Sequence, residues 1–207
     1  MVILRSGQRA DSSAAAARDV ATAILEAAAT VFYRSGFADC TLAAIAAEAG
    51  CSLAELEAHF EDKHELHESI VVMIQREAKE LFMLTLPDEI DIVEKLRLLL
   101  THQAEWGNRR RETLSFLARP EPQNAGRARG LDLDDYYLEG TVGWFERHDV
   151  AGELGLAIPG EMAAHVFRAL QIGFYDRWVA RGGSESFLDN TDMVLDIFLN
   201  GVRTKKS

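Results

Sequence analysis

The chain has 207 residues, of which 48% are hydrophobic, and a formal net charge of −11. No apolar run approaches the roughly 20 residues of a membrane-spanning helix, and the N-terminal segment lacks the compact apolar region of a secretory signal. These features argue against a membrane or secreted protein, so we expect a cytoplasmic protein whose two cysteines form no structural disulfide.

The spacing of the apolar residues predicts an all-α fold. Apolar side chains recur every three or four positions along most of the chain, and no β-branched run alternates at period two. We expect about nine helices. A segment of small, polar and alanine-rich residues at 1–18 predicts a mobile arm or a frayed helix start. Residues 19–66 are predicted to form a small N-terminal unit, and residues 67–207 a larger helical domain.

The first two helices have clear start and stop residues. A helix is predicted at residues 19–35, with Gly36 as its stop. Thr41 is a good N-cap for a short second helix that reaches residue 49, where Gly50 can adopt the left-handed conformation of a helix end. We therefore expect a tight glycine turn directly after the second helix.

Two capping boxes start the next helices. Ser52 with Glu55 starts a short third helix through about residue 59, and Asp62 with Glu65 starts a long fourth helix. Two short helices across a glycine turn, with one helix before and one after, form helix-turn-helix architecture, in which the second short helix can enter the DNA major groove.

These residues carry a family resemblance. The segment CTLAAIAAEAGCSLAELEAHFEDKHEL at residues 40–66 resembles the DNA-binding segment of the tetracycline-repressor (TetR) family, and ILEAAATVFYRSGF at residues 24–37 is similar to the first helix of that family. The resemblance implies a homodimeric transcriptional regulator, commonly a repressor, that binds an operator in double-stranded DNA and a small-molecule effector. It implies a helix-turn-helix domain at residues 19–66 and a ligand-binding and dimerisation domain at residues 67–207. The positions that it implies for DNA contact are Thr41, Ser52, Leu53, Ala54, Glu55, Glu57, His59 and Lys63.

The same segment departs from the family in its charge. Residues 1–70 contain five basic and eleven acidic side chains, whereas a DNA-binding domain usually has a basic face. Ala54, Glu55 and Glu57 stand where the family usually has glycine, threonine and tyrosine. The capping box explains Glu55, but a Glu57 carboxylate about 6 Å from a phosphate would cost about 1 to 3 kcal/mol.

Two functional hypotheses therefore remain open. The first is an effector-controlled regulator that binds operator DNA. The second is a dimer of the same fold that has lost or altered operator binding and acts through protein–protein interaction. An enzyme is disfavoured because no nucleophile–base pair, phosphate-binding loop or metal-ligand spacing is present, and we predict neither a cofactor nor a metal.

The larger domain contains candidate pocket residues on three of its predicted helices. Aromatic and imidazole side chains could wall a cavity between helices, where ligand sites are common, although core packing is the alternative for each of them. The set is His102, Trp106, Phe116, Tyr137, Trp144 and His148.

The last two predicted helices, at residues 160–181 and 190–203, suggest a dimer interface. Each has a stripe of large apolar residues, and two such terminal helices could pair with a symmetry mate; an internal core is again the alternative. The set is Phe167, Leu170, Phe174, Trp178, Val194 and Phe198.

Overall fold

The computed structural model describes residues 6–83, 86–119, 133–182 and 186–202. Within these ranges the chain is all-α, which confirms the predicted fold class, and it forms ten α-helices and one 3-10 turn at Phe187–Asn190. The helices are α1 (Ser6–Asp39), α2 (Leu42–Ala49), α3 (Leu53–His59), α4 (Lys63–Phe82), α5 (Ile92–Arg109), α6 (Arg111–Leu117), α7 (Leu133–Arg147), α8 (Val150–Leu154), α9 (Gly160–Ala180) and α10 (Thr191–Val202). The five-residue α8 is the helix that the sequence analysis missed. No helix of the described ranges is long and apolar enough to cross a membrane.

Helix α1 differs from its prediction at both ends. It begins at Ser6 rather than near residue 19, so residues 6–18 belong to the helix, which agrees with the helix-start alternative and not with a mobile arm. Four consecutive alanines at 14–17 explain the difference, because alanine has the highest helix propensity. At the other end, Gly36 has φ 79° and ψ 163°, which kinks the helix at the predicted stop.

The turn between α2 and α3 has the predicted geometry. The Thr41 hydroxyl accepts a hydrogen bond from the first turn of α2 at 3.2 Å. Gly50 is left-handed, with φ 70°, and its N–H donates to the carbonyl of Ala47 at 3.3 Å, while the N–H of Cys51 donates to the carbonyl of Ala46 at 3.0 Å. This pair of bonds is a Schellman motif, which satisfies the last carbonyls of the helix and redirects the chain into α3.

Lys63 connects the start of α4 to the end of α1. Its Nζ donates hydrogen bonds to the carbonyl oxygens of Phe37 at 2.8 Å, Ala38 at 3.0 Å and Cys40 at 3.3 Å. The same ammonium lies 4.8 Å from the centre of the Phe37 ring. Because the last carbonyls of a helix have no partner within the helix, this one cation closes the end of α1.

The chain divides into two compact units within α4. The first unit is Met1–Met73 and the second is Ile74–Ser207, whereas the sequence analysis placed the boundary after residue 66. Leu66 and Ile70 are fully buried on α4. The first turns of α4 therefore supply core side chains to the N-terminal unit before the helix continues into the larger one.

Within the larger unit, Glu77 of α4 is held by two side chains from the α5–α6 region. Its Oε2 accepts hydrogen bonds from Trp106 Nε1 at 2.9 Å and Arg110 Nε at 2.8 Å, and its Oε1 accepts one from Arg110 Nη2 at 2.7 Å. Burial alone would raise the pKa of Glu77, but the hydrogen bonds from Arg110 and Trp106 outweigh it and hold that pKa below its usual value. Arg110 thus lies at the junction of α5 and α6 and is paired with Glu77.

The helices α7, α9 and α10 share an aromatic core. The rings of Phe145, Phe167 and Phe198 lie 5.0 to 5.9 Å apart, and none of the three side chains is more than 2% exposed. Tilted and edge-on ring pairs of this kind stabilise a core beyond the area that they bury. The apolar stripes of the last two helices thus pack inside this unit.

We expect Lys63→Met to destabilise the N-terminal unit by about 2 to 3 kcal/mol, because it removes the cation that bonds three carbonyl oxygens. Urea unfolding followed by far-UV circular dichroism measures the change. Lys79→Met, at an exposed position of the same helix, is the matched control and should stay within about 0.5 kcal/mol of the parent. Equal effects of the two substitutions would show that the Lys63 hydrogen bonds contribute no net stability.

We expect Glu77→Gln to lower the free energy of unfolding by about 2 to 3 kcal/mol at pH 7, because it breaks a partly buried ion pair. The folded pKa of Glu77 lies below its unfolded value of about 4.3, so its contribution is complete above that value and is lost as the pH falls through the folded pKa. The difference between parent and variant should therefore shrink below about pH 4. Denaturant titrations from pH 7 to pH 3 test this, with the exposed Glu80→Gln as control; a difference that does not change with pH contradicts it.

Candidate nucleic-acid interface

Helix α3 is fixed at both ends and along one face. The Ser52 hydroxyl accepts a hydrogen bond from the N–H of Glu55 at 3.1 Å and caps the start of the helix. The N–H of Phe60 donates to the carbonyl of Leu56 at 2.9 Å at its end. Leu56 is fully buried and Phe60 is 7% exposed, so these two apolar side chains anchor the helix and leave its opposite face in solvent.

The eight residues predicted to meet DNA lie in one unit, at the start of α2, along α3 and at the start of α4. Thr41 caps α2, Ser52 caps α3, Leu53 to His59 lie within α3, and Lys63 opens α4. His59 and Lys63 are half-buried, and the other six are exposed: Thr41, Ser52, Leu53, Ala54, Glu55 and Glu57. Their contact with DNA stays a prediction.

The two predicted capping boxes differ in the structure. At α4, Asp62 Oδ1 accepts a hydrogen bond from the N–H of Glu65 at 2.9 Å, and Glu65 Oε2 accepts one from the N–H of Glu61 at 2.6 Å. The backbone hydrogen bond from Glu65 lowers the pKa of Asp62. At α3, by contrast, no hydrogen bond of the Glu55 carboxylate is found among the described residues. Ser52 is therefore a cap, but Glu55 is not a full capping-box partner, and the sequence explanation for this glutamate is incomplete.

The solvent face around α3 is acidic. Lys63 donates to backbone carbonyls, and Arg34 of α1 pairs with Glu48 of α2 at 3.1 Å. An exposed pair of this kind contributes little stability, but it pairs the positive charge of Arg34 with a carboxylate. From α3 through the following turn to the first turn of α4, the exposed acidic side chains are Glu55, Glu57, Glu61, Asp62 and Glu65.

Most of the predicted effector-pocket side chains have partners within the core of the larger unit. Trp106 donates its indole N–H to Glu77, and Phe116 is fully buried. Trp144 is also fully buried and stacks on His148, with ring centres 4.3 Å apart. The Nδ1 of His102 lies 2.7 Å from the carbonyl oxygen of Leu98. The side chain of Tyr137 lies outside the described part of the structure.

One of these six residues lines a cavity whose walls are described. His148 borders an open cleft of about 510 Å³ between the end of α4 and the end of α7. The cleft is lined by Phe82, Met83, Leu86, Asp88, Lys95, Arg147, His148 and Asp149. The assignment of the six residues to one effector pocket stays a prediction.

The predicted dimer residues lie mostly inside the protomer. Phe167, Trp178, Val194 and Phe198 are buried, and Leu170 and Phe174 are half-buried. The large apolar side chains that α9 and α10 leave in solvent are Met162, Met193 and Ile197, with 53%, 51% and 45% of their surface exposed. An apolar stripe in a sequence cannot distinguish the core of a protomer from an interface between protomers, and here the stripe faces the core.

The sequence analysis missed a pair of buried polar side chains, Gln103 of α5 and Gln171 of α9. Helical spacing could have indicated that Gln103 is buried. It lies three residues after the buried Leu100 and therefore on the apolar face of α5. Among the described residues, no group of three or more histidine, cysteine, aspartate or glutamate side chains is arranged to hold a metal ion.

Comparison with known proteins gives a family match in the N-terminal unit. Residues 24–70 match the family model described as bacterial regulatory proteins, tetR family. These residues include α2, α3 and the start of α4. No curated protein matches the chain in sequence.

Solved structures share the fold over most of the chain. The complex of SmeT with triclosan is 22% identical with a TM-score of 0.69, covering 90% of this chain and 93% of that one. The fatty acid degradation regulator FadR from Bacillus halodurans is 15% identical with a TM-score of 0.70, covering 89% and 97%. NalD, the secondary repressor of the MexAB-OprM multidrug efflux pump in Pseudomonas aeruginosa, is 18% identical with a TM-score of 0.64, covering 92% and 100%.

The helix-turn-helix geometry and the family match agree over the N-terminal unit, and the shared fold extends over most of the chain. They identify residues 24–70 as a helix-turn-helix segment of the tetR type, in a chain whose fold is that of the solved structures above.

Proposed function

We propose that this protein is a cytoplasmic homodimeric repressor that binds operator DNA through α3 and is controlled by a small-molecule effector. The observation that carries the proposal is the capped, core-anchored α3, whose outer residues Ala54, Glu55 and Glu57 are exposed in the described part of the structure. Two such helices in a symmetric dimer would meet successive major grooves. An effector acts by binding better to a conformation in which the two helices no longer fit the operator.

The second unit offers a face for dimerisation. Met193, Ile197 and Gly201 follow one another at four-residue spacing on α10, and all three are exposed. On α9, Met162 and the small residues Ala169 and Gly173 are also exposed. Small residues on the same two helices as these methionine and isoleucine side chains permit close helix approach, and a twofold axis pairs the same face of both protomers. We assign the dimer interface to this face.

Acidic residues on α3 favour the second candidate function. Glu55 and Glu57 are exposed and Lys63 is bonded to backbone carbonyls, so the α3 face lacks the basic character usual for phosphate contact. A dimer with such a face could instead bind another protein, with basic side chains as the complementary surface. The same face could also recognise DNA without contacting phosphates. In that case a glutamate would accept a hydrogen bond from N4 of cytosine in the major groove.

Selection of bound fragments from sheared genomic DNA at low salt tests the proposal. We expect the wild-type dimer to retain a limited set of fragments, and fluorescence anisotropy on the best of them to give saturable binding that exceeds binding to unrelated DNA by at least about 10³-fold. Retention of no fragment by a protein that sedimentation shows to be folded and dimeric would favour the protein-interaction alternative.

We expect Glu57→Tyr to increase DNA affinity by roughly tenfold or more, because it removes a carboxylate whose repulsion of a phosphate at about 6 Å is about 1 to 3 kcal/mol. Anisotropy on the selected fragment measures the change. Glu80→Gln, which removes an exposed carboxylate outside the helix-turn-helix, is the control. Unchanged affinity of a binding-competent Glu57→Tyr protein would place position 57 away from the phosphates.

We expect Ile197→Glu to convert the dimer to a monomer, because two carboxylates would meet across the twofold axis in an apolar surface, at a cost of roughly 2 to 4 kcal/mol per interface. Sedimentation equilibrium measures the shift in the monomer–dimer constant. Val72→Glu adds the same charge at an apolar residue of α4 that is 62% exposed and should leave the dimer intact. Dimerisation unchanged by Ile197→Glu would move the interface to another face.

A further inference from the structure

The open cleft between the end of α4 and the end of α7 has apolar side chains on one side. Phe82 is buried, Leu86 is half-buried, and Met83 has 67% of its surface exposed. The volume of about 510 Å³ lies within the range of about 300 to 1,000 Å³ that is usual for small-molecule sites. The cleft can therefore hold the apolar body of a small molecule, and the methionine thioether favours an aromatic one.

The apolar side of the cleft is fixed in position. The Phe82 ring packs so closely on α7 that a Cβ at Gly140 would lie 2.6 Å from a ring carbon. Further along α7, Arg147 Nη2 donates a hydrogen bond to the Phe82 carbonyl oxygen at 2.8 Å. The next residue, His148, stacks on Trp144. Because these walls are held by contacts within the protein, the cleft is formed before a ligand enters it.

Two cationic side chains also line this cleft. Lys95 of α5 is half-buried, and its ammonium has no hydrogen bond or ion pair with another described residue. Arg147 uses one N–H of its guanidinium on the Phe82 carbonyl, and its remaining N–H groups have no acceptor among the described residues. A half-buried cation is partly removed from water, which is costly without a counter-ion. An anion bound in the cleft would be that counter-ion.

Two aspartates line the cleft as well, but neither pairs with these cations. Asp149 Oδ1 accepts a hydrogen bond from the N–H of Gly152 at 3.3 Å and so caps α8. Asp88 is exposed in the connection between α4 and α5. Neither carboxylate forms an ion pair with Lys95 or Arg147 in the described part of the structure. Their negative charges oppose a doubly charged anion more strongly than a singly charged one.

We propose that this cleft binds an aromatic monocarboxylate. The carboxylate accepts hydrogen bonds from the Lys95 ammonium and the Arg147 guanidinium, which are charge-assisted and therefore strong, and the aromatic body packs on Phe82 and Met83. Of the six residues that the sequence analysis assigned to an effector pocket, His148 is the one that lines this site in the described part of the structure. The inference deepens the proposed function, on which it rests for the role of such a molecule as effector.

The probe is 2-naphthoate, titrated into the full chain by isothermal calorimetry. Three counterparts separate its features: 2-naphthylmethanol has the rings without the charge, 2-naphthyl phosphate is doubly charged above about pH 6, and acetate has the charge without the rings. At pH 7.5 we expect 2-naphthoate to bind with a dissociation constant of roughly 0.1 to 1 mM, as suits a ligand of this size, and each counterpart to bind at least about tenfold more weakly. Equal or tighter binding of any counterpart, or no binding of 2-naphthoate, would overturn the proposal.

Lys95→Met removes the ammonium and retains much of the length of the side chain. We expect the affinity for 2-naphthoate to fall about tenfold through loss of the charge-assisted hydrogen bond, and Lys95→Arg to retain most of it. Lys79→Met, which removes an exposed lysine of α4 that does not line the cleft, is the matched control and should bind as the parent does. Parent affinity in a folded Lys95→Met protein would contradict the assignment and place the probe elsewhere.

DNA binding measured on the same samples separates this inference from the proposed function. Selective DNA binding by a protein that does not bind 2-naphthoate overturns the carboxylate site alone. Binding of 2-naphthoate that depends on Lys95 supports the site, even where the absence of selective DNA binding contradicts the repressor proposal.

Discussion

The N-terminal unit depends on one cation. Lys63, at the start of α4, donates to the carbonyls of Phe37, Ala38 and Cys40 after the kink at Gly36. The last carbonyls of a helix have no partner within the helix, and the Lys63 ammonium supplies a donor to each of these three oxygens. The ammonium therefore links α1 to α4. Helices α2 and α3 lie between these two helices in the sequence.

This structural use of Lys63 has a consequence for recognition. The resemblance to the family assigns the position to phosphate contact, but the ammonium already has three acceptors, as many as it has protons. With Arg34 paired to Glu48, the surface of α3 is dominated by Glu55 and Glu57. Hydroxyl groups such as those of Thr41 and Ser52, and backbone N–H groups, would then make the phosphate contacts. We therefore expect a lower DNA affinity than a basic helix-turn-helix surface would give, and an affinity that decreases with each added negative charge.

Local signals in the sequence predicted the helix ends well. Thr41, Gly50 and Ser52 act within four residues of themselves, through caps and a left-handed turn, so their sequence neighbours were sufficient to assign them. Lys63 bonds to carbonyls more than 20 residues earlier in the chain, and a pattern of local spacing contains no information on such a partner. For the same reason Glu77 was not paired with Arg110 in advance.

The apolar stripes of α9 and α10 show a second limit of prediction from sequence. The stripe with Phe167 and Phe198 was correctly identified as apolar, but periodicity does not state what covers it, and the structure has these rings packed on Phe145. Gln103 and Gln171 were overlooked because a polar residue within an apolar stripe resembles an error in the pattern. Their burial and the hydrogen bond between them became visible only when α5 and α9 were packed together.

The central claim is that a capped and anchored α3 still meets the DNA backbone despite its acidic face. The salt dependence of the association constant for the selected operator fragment tests this claim most directly. We predict that the logarithm of the constant falls linearly with the logarithm of salt concentration, with a slope of about −0.9 for each phosphate that the protein neutralises. The slope should be shallow because Lys63 and Arg34, the cations near α3 in the described part of the N-terminal unit, are already paired. A constant that does not change between 50 and 200 mM salt, conditions over which phosphate-binding proteins lose affinity steeply, would contradict it.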